Sequence, residues 1–383
     1  MRIAYVYDAV YPEITGGVER RVWELARRLA ARGHEVHLFG MHLWEGETTI
    51  TRDGVVIHGI CRPYSFYRKG KRRILPAFIF GIMVFSALSR ERFDVVDCQQ
   101  FPYTSVFGGA AACRISRSPL VITWHEVWGD YWYEYLGYRG FGGKVLERLA
   151  ARIHACTIAV SETTKAGLNR LIGDRNSTII PNGIDKDEID AILPAEAASD
   201  VIFVGRLIRE KHVDVLVDAV GILRQTSPRI RCLVIGDGPE RMNLEEKVIS
   251  MNLSGNILFT GFFKRSEEMI AYMKSSRVFV LPSTREGFGI SALEALATGL
   301  PVVTIDHPKN ASKVFARDGC GALCSLDAGD MAEKIKGILS AGDDAGGRCR
   351  LKLREYEWET ITEMIEKYYV QVKNTYLMEK SPE

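Results

Sequence analysis

Several familiar signatures are missing from this chain of 383 residues, and each absence removes a class of function. No apolar run reaches the roughly 20 residues of a spanning helix. The longest, Ile74 to Leu88, is 15 residues and is broken by Pro76, Gly81 and Ser86. The N-terminal run Ile3 to Val6 soon meets Asp8 and is too short for a signal peptide, so a cytoplasmic setting is expected. Charge of one sign is also scarce. Lys+Arg 50 against Asp+Glu 48 leaves a net charge of +2, which argues against a globally basic nucleic-acid binder. Eight cysteines (Cys61, Cys98, Cys113, Cys156, Cys232, Cys320, Cys324 and Cys349) include no CxxC pair. Cys320 and Cys324 have no His or Cys cluster beside them to complete a zinc site. Buried free thiols in a reducing compartment are the expectation.

The short motifs fail in informative ways. His125-Glu126 has Gly129 where HExxH needs a second histidine. Gly142-Gly143-Lys144 is followed by Val145, not the Ser or Thr of a phosphate-binding P-loop. Neither Gly16-Gly17-Val18-Glu19 nor Gly236-Asp237-Gly238-Pro239-Glu240 completes GxGxxG. Asp185 and Asp187 have the D-x-D spacing of a metal site but fall in a polar, Ala-rich stretch, and are read as accidental. No metal site is expected.

What is present is a rhythm. Short apolar runs alternate with amphipathic stretches: strands at 2–7, 35–39, 94–98, 120–123 and 157–160, helices at 18–31, 75–89, 144–153 and 161–171. The rhythm breaks over 185–199, the best linker candidate, and restarts with strands at 201–204, 230–235, 257–260, 278–281 and 301–304. Strands alternating with helices predict doubly wound parallel sheets, hence an α/β fold in two domains, 1–190 and 191–357. A last amphipathic helix covers about 358–377.

Within that frame the strongest motif is Glu286-Gly287-Phe288-Gly289-Ile290-Ser291-Ala292-Leu293-Glu294, directly after the apolar strand 278–281. The glycines permit a tight turn, and a helix starting near Gly289 would turn free N–H groups toward an anion. Val204-Gly205-Arg206 through Lys211 opens the second domain's first helix, at a strand's C-terminal end, where open α/β sheets bind ligands. Two fixed cations there, Arg206 and Lys211, suit a diphosphate. The glycine turns at Gly16-Gly17 and Gly236-Asp237 can bring backbone amides close to phosphate or sugar. His125, at a strand end, has the chemistry to hydrogen-bond a sugar hydroxyl.

Together with Pro181-Asn182-Gly183-Ile184-Asp185, these motifs resemble the retaining glycosyltransferases of family 4, along almost the whole chain. The resemblance implies the GT-B fold: two Rossmann-like domains facing across a cleft that holds the active site, with a final helix crossing back to the first domain. It implies that the first domain binds the acceptor and the second a nucleotide diphosphate sugar. Carried over by position, Arg206 and Lys211 hold the donor diphosphate, Glu294 the ribose, and Glu286 the donor sugar near the reacting centre. His125 contacts the sugar near its anomeric carbon. Gly16, Gly17, Gly205, Gly236, Asp237, Gly287, Phe288, Gly289 and Ile290 complete the donor contacts, and Phe262 lines the base pocket. Family members retain anomeric configuration and generally need no catalytic metal, so no cofactor is expected. A nucleotide-sugar epimerase on a similar fold and a non-catalytic nucleotide-sugar-binding protein remain alternatives. E-x7-E and PNGID disfavour the epimerase, and the intact set of Arg206, Lys211, Glu286 and Glu294 argues against a relict site.

One surface feature stands apart. From Gly54 to Arg90 there is no carboxylate, while Arg62, Arg68, Lys69, Lys71, Arg72, Arg73 and Arg90 all fall there. Basic residues beside Tyr64, Phe66 and Tyr67 suit an anionic bilayer. The 62–73 region is therefore a candidate for peripheral membrane contact, with most of Ile74 to Leu88 expected in the core. Trp128, Tyr131, Trp132, Tyr133 and Tyr135 either meet acceptor sugar or lipid, or pack against the first domain.

Overall fold

The structure, a computed structural model, describes residues 1–68, 71–174, 176–263, 265–341 and 353–380. Lys69 and Cys349 lie outside the described residues. The chain divides into two compact units, Met1–Gly183 with Trp358–Glu383, and Ile184–Glu357.

The first unit is built on ten strands: β1 Arg2–Val6, β2 Glu35–Met41, β3 Thr49–Arg52, β4 Val55–Cys61, the short pair β5 Tyr67–Arg68 and β6 Lys71–Arg72, β7 Val95–Gln99, β8 Leu120–Trp124, β9 Cys156–Ala159 and β10 Thr178–Ile179. Eight form one sheet in the order β10-β9-β8-β7-β1-β2-β4-β3. All pairs in it are parallel except β3 with β4. Asp53 and Gly54 join that hairpin with φ of 48° and 79°, the backbone of a two-residue hairpin turn. This Asp-Gly signal was readable, yet the hairpin is absent from the sequence-derived strands.

Side chains alternate along each strand, so the sheet has two apolar faces. Ile3, Tyr5, Leu38, Val95 and Val121 point to one face, covered by helix α1 (Gly17–Ala31) and the C-terminal helix Trp358–Lys380. Ala4, Val6, Phe39, Cys98 and Ile122 point to the other. That face carries α2 (Ile74–Leu88), α3 (Tyr103–Ser116), α4 (Tyr131–Leu136), α5 (Gly140–Ala151) and α6 (Glu162–Ile172). Helix α1 buries Val22, Leu25, Ala26 and Leu29, the stripe its periodicity predicts. Ser161 caps α6 as expected, its hydroxyl accepting from the Thr164 N–H at 3.1 Å.

Two expectations for this unit are corrected. Only one side of α2 is in the core: Phe80, Val84 and Leu88 are buried, but Ile74, Leu75, Phe78, Ile82 and Phe85 are exposed. With Ser86 as its one polar residue and no charge, the helix gives the pattern little to show which side is outward. The unit also closes at Gly183 rather than near residue 190, because the expected linker contains α7 (Lys186–Ala191). Asp185 caps α7 through the Glu188 N–H at 3.0 Å, which accounts for one half of the D-x-D. Lys274 ties its end to the second unit through the carbonyls of Asp190 (3.1 Å) and Ile192 (2.6 Å).

The second unit has a six-stranded parallel sheet. Its strands are β11 Ser199–Val204, β12 Cys232–Ile235, β13 Ile257–Gly261, β14 Ser276–Leu281, β15 Val302–Ile305 and β16 Gly321–Cys324, in the order β13-β12-β11-β14-β15-β16. Helices α8 (Val213–Thr226), α9 (Arg241–Ser250), α10 (Ser266–Lys274), α11 (Ile290–Ala297) and α12 (Ala328–Ala341) connect them. The central strand β11 is buried from Val201 to Val204. The order reverses direction at β11 and β14, so the loops leaving those two strands sit where such sheets bind ligands.

Candidate functional site

In the second unit these loops are stitched to one another. After β11 a short 3-10 turn, Arg209–Lys211, precedes α8, with His212 at φ 45°. The Thr284 N–H donates to the Glu210 carbonyl at 3.3 Å, and the Thr284 hydroxyl pairs with His212 Nε2 at 2.9 Å. This brings Lys211 to Glu286: Nζ and Oε1 form an ion pair, with side-chain exposures of 17% and 12%. Desolvating both groups offsets much of their attraction, so the pair is weak evidence of stabilisation. Its position is more informative. It stands at the ends of β11 and β14, just before α11.

Gly289 precedes α11 at φ 92°, and a Cβ there would lie 2.5 Å from the Ser312 Cβ. Only glycine fits this backbone. Helix α11 begins at Ile290, and no side chain caps it. Ile290 is half-buried in its first turn, and Glu294 is buried one turn on. Phe288 faces inward. Its ring is buried, edge-on to Phe315 at 5.5 Å and Tyr356 at 6.0 Å, so it can offer a ligand only its backbone. Gly287 is half-buried between Glu286 and Phe288.

Asn310, a residue the motif reading missed, braces this turn. It is fully buried and donates to Thr304 Oγ1 (3.0 Å) and the Ile305 carbonyl (2.8 Å). Its Oδ1 accepts from the Ser312 N–H (3.0 Å) and hydroxyl (2.6 Å). The same segment binds the Glu286 backbone, whose N–H donates to the Lys309 carbonyl and whose carbonyl accepts from Ala311, both at 3.0 Å.

The other glycine turns have a packing reason. Gly205 donates its N–H to the Ile235 carbonyl (3.0 Å) and Gly236 to the Gly261 carbonyl (2.9 Å). A Cβ on Gly236 would collide with the Gly205 carbonyl. These amides are spent within the protein rather than offered to phosphate. Asp237 is exposed, accepts from its neighbour Gly238 at 2.7 Å and pairs with Arg241 at 3.2 Å. Arg206 is exposed beyond β11, and Phe262 is 65% exposed beyond β13.

The remaining predicted residues belong to the first unit. Gly16 and Gly17 are exposed where α1 begins. His125 follows β8 and is half-buried. Its Nε2 meets Gln99 Oε1 at 2.7 Å, its backbone N–H meets Gln100 Oε1 at 2.8 Å, and Thr164 donates to its carbonyl at 3.3 Å. Behind Gln99 lies Asp97, fully enclosed, accepting from Gln99 Nε2 (3.0 Å), Thr123 (2.8 Å) and the Tyr369 hydroxyl (2.6 Å). Burial raises the Asp97 carboxyl above its ordinary range, against the opposing pull of Tyr369, Thr123 and the Arg21 guanidinium. Burial first, and Arg21 second, push the His125 ring down to about 3. His125 is therefore neutral at physiological pH.

Arg21 has a second task. Its guanidinium donates to the carbonyls of Ile180 (3.0 Å) and Pro181 and to Asn182 Oδ1 (3.1 Å). Gly183 lies beneath the Trp358 ring, where a Cβ would sit 2.6 Å from it. The Pro181-Asn182-Gly183 motif is thus built into the frame of the first unit. Most of the aromatic cluster packs together: Trp128 lies 4.6 Å from Trp132 and 5.2 Å from Tyr135, with Tyr131 and Trp132 buried, while Tyr133 is exposed. Of the seven described cysteines, all free, five are buried as expected, while Cys156 is exposed and Cys61 half-buried.

Comparison with known proteins agrees with this layout. Residues 185–356 match the family described as Glycosyl transferases group 1, and residues 15–188 match Glycosyltransferase Family 4. The chain is 25% identical to the GDP-mannose-dependent alpha-(1-6)-phosphatidylinositol dimannoside mannosyltransferase of Mycobacterium tuberculosis, over 94% of this chain and 93% of that one. It is 28% identical to the alpha-monoglucosyldiacylglycerol synthase of Acholeplasma laidlawii, over 79% and 80%. Among solved structures, sucrose-phosphate synthase from Thermosynechococcus elongatus superposes with a TM-score of 0.80 at 20% identity, covering 97% of this chain and 99% of that one.

Proposed function

Starting from the fact that the chain belongs to the family 4 glycosyltransferases, GT-B enzymes acting on nucleotide sugars, we propose that it is a retaining hexosyltransferase using a UDP- or GDP-sugar. The acceptor is a lipid-linked or cell-surface glycan intermediate. The observation that carries this reading is the Lys211–Glu286 pair beside the uncapped start of α11. When the diphosphate arrives, Lys211 turns part of its charge to it, with Arg206 and the α11 amides adding donors. These groups offset the charge that builds on the leaving nucleotide. Glu286, released from full pairing, accepts from the donor sugar's hydroxyls, and Glu294 takes the ribose. In the first unit the neutral His125 ring meets a sugar hydroxyl.

The bond from the anomeric carbon to the diphosphate breaks, and the acceptor oxygen bonds the same face. The acceptor's proton passes to the leaving phosphate oxygen. Two fixed cations do the work a divalent ion does elsewhere, so transfer is expected to survive chelation by EDTA. Incubation with UDP- and GDP-sugars and a panel of lipid and glycan acceptors, followed by NMR of the product anomer, tests the reading. Transfer with retained configuration supports it. Inversion, or no turnover of any donor, contradicts it.

The lipid acceptors named for two relatives, and the outer side of α2, support a peripheral membrane position on the cytoplasmic face. Ile74, Phe78, Ile82 and Phe85 are exposed along one line of α2, with exposed Arg73 at its start and exposed Arg62 just after β4. Helix α5 repeats the pattern with exposed Phe141, Val145 and Leu149. No helix among the described residues is long and apolar enough to cross a membrane. Apolar side chains framed by cations fit an anionic lipid surface, at about 1 kcal/mol per basic residue.

A further inference from the structure

The first unit contains a buried chain of hydrogen bonds with a fixed direction. Asp97 accepts from Gln99 Nε2 at 3.0 Å, and Gln99 Oε1 faces His125 Nε2 at 2.7 Å. Three donors converge on Asp97, the Gln99 amide and the Thr123 and Tyr369 hydroxyls, so it acts here as an acceptor, and an amide has one donating and one accepting end. Asp97 therefore holds the donating end of Gln99, which leaves the carbonyl for His125. A carbonyl needs a donor opposite it. The proton of the neutral ring must then sit on Nε2, and Nδ1 keeps a lone pair. Nδ1 has no hydrogen-bond partner among the described residues, and His125 as a residue is half-buried.

The rest of the network prevents slippage. Tyr369, on the C-terminal helix, and Thr123, on the neighbouring strand, both donate to Asp97, at 2.6 Å and 2.8 Å. The His125 backbone is pinned separately by Gln100 and Thr164. The ring can thus change its proton's place without the loop moving.

We propose that Asp97 and Gln99 are positioning residues that set the tautomer of His125, so that Nδ1 accepts a hydrogen bond from a sugar hydroxyl during transfer. The second half of this inference rests on the glycosyltransferase reading, whereas the tautomer itself does not. The arrangement selects a ligand group that donates. A hydroxyl fits; a phosphate or carboxylate oxygen facing the lone pair is repelled.

The test uses the full chain labelled with 15N-histidine, whose ring nitrogens differ in shift according to which carries the proton. The His125 signals are assigned by their loss in His125→Gln, since the chain has eight histidines. The wild type is expected to carry its proton on Nε2. In Asp97→Asn the side-chain amide can present either end to Gln99, so Gln99 is no longer held one way round and the proton is shared between Nε2 and Nδ1. A share of the rings then faces a donor with a donor, and transfer should fall about twofold to tenfold, read beside the melting temperature. Gln99→Leu, which keeps the Asp97 carboxylate, should give a mixture of tautomers and a smaller loss. It serves as the second probe if Asp97→Asn does not fold. A proton on Nδ1 in the wild type, or the same tautomer in all variants, overturns the proposal. A shared proton with unchanged transfer overturns the role of Nδ1 toward the sugar, while activity in the wild type still upholds the transferase reading.

Discussion

The two units present different chemistry at their strand ends. In the second, the strand-end site is made of charge: Lys211 against Glu286, exposed Arg206, and the open start of α11. In the first, the ring at the strand end is neutral and is oriented by a row of neutral donors and acceptors backed by one enclosed carboxylate. Charge suits a diphosphate, which is polyanionic and leaves with more charge than it brought. Directed neutral hydrogen bonds suit hydroxyls, which differ in geometry rather than charge. The contrast teaches that each unit is matched to the group it is proposed to hold.

The largest expected effect comes from removing the charge. Lys211→Ala or Glu286→Ala should lower transfer by about 10²–10³-fold, measured as nucleotide release. Either change also leaves a half-buried partner uncompensated, so melting temperature should be followed alongside. Lys211→Arg restoring part of the rate would sharpen the assignment, and an unaffected Lys211→Ala would break it. Next comes the turn that aims α11. Gly289→Ala places a side chain at φ 92° and close to Ser312, with an expected cost of about 1–3 kcal/mol in stability. Chemical denaturation reads it out. Donor KM should rise with it.

The third prediction separates the units by pH. The His125 ring titrates near 6.5 in the unfolded chain and near 3 in the folded one. Between those values the unfolded state binds more protons, so stability falls as pH falls from about 6.5 toward 3. His125→Gln should flatten part of that acid slope. His212 in the second unit is also lowered by burial and contributes in the same direction, so some slope must remain in the variant. Transfer by the wild type should show no titration of His125 between pH 5 and 8. The smallest effect concerns the outer face of α2. Ile82→Glu, at an exposed position, should leave melting unchanged and weaken sedimentation with anionic vesicles at low salt. Equal sedimentation of variant and wild type would remove the membrane surface from the account.

The two sites also differ in how legible they were. Glu286 to Glu294 could be read because its logic is local: a buried strand, two glycines and a helix start within a few residues. The parallel sheets were legible for the same reason, since strand and helix periodicities are local properties. Asn310 was not, because its role depends on Gly289 being packed against Ser312, a tertiary fact. The His125 network was less legible still. Gln99 is 26 residues from His125, and Tyr369 is 272 residues from Asp97. No spacing rule links them; only the adjacency of β7 and β8 and the return of the last helix does. Helix α2 was misread, because an apolar helix expected in the core exposes Ile74, Leu75, Phe78, Ile82 and Phe85.

The most direct test of the contrast is calorimetric titration of UDP and GDP, without sugar, into the wild type, Lys211→Ala and His125→Ala. The account predicts at least about tenfold weaker binding for Lys211→Ala and no change for His125→Ala. Unchanged affinity in Lys211→Ala, or a loss confined to His125→Ala, would contradict it.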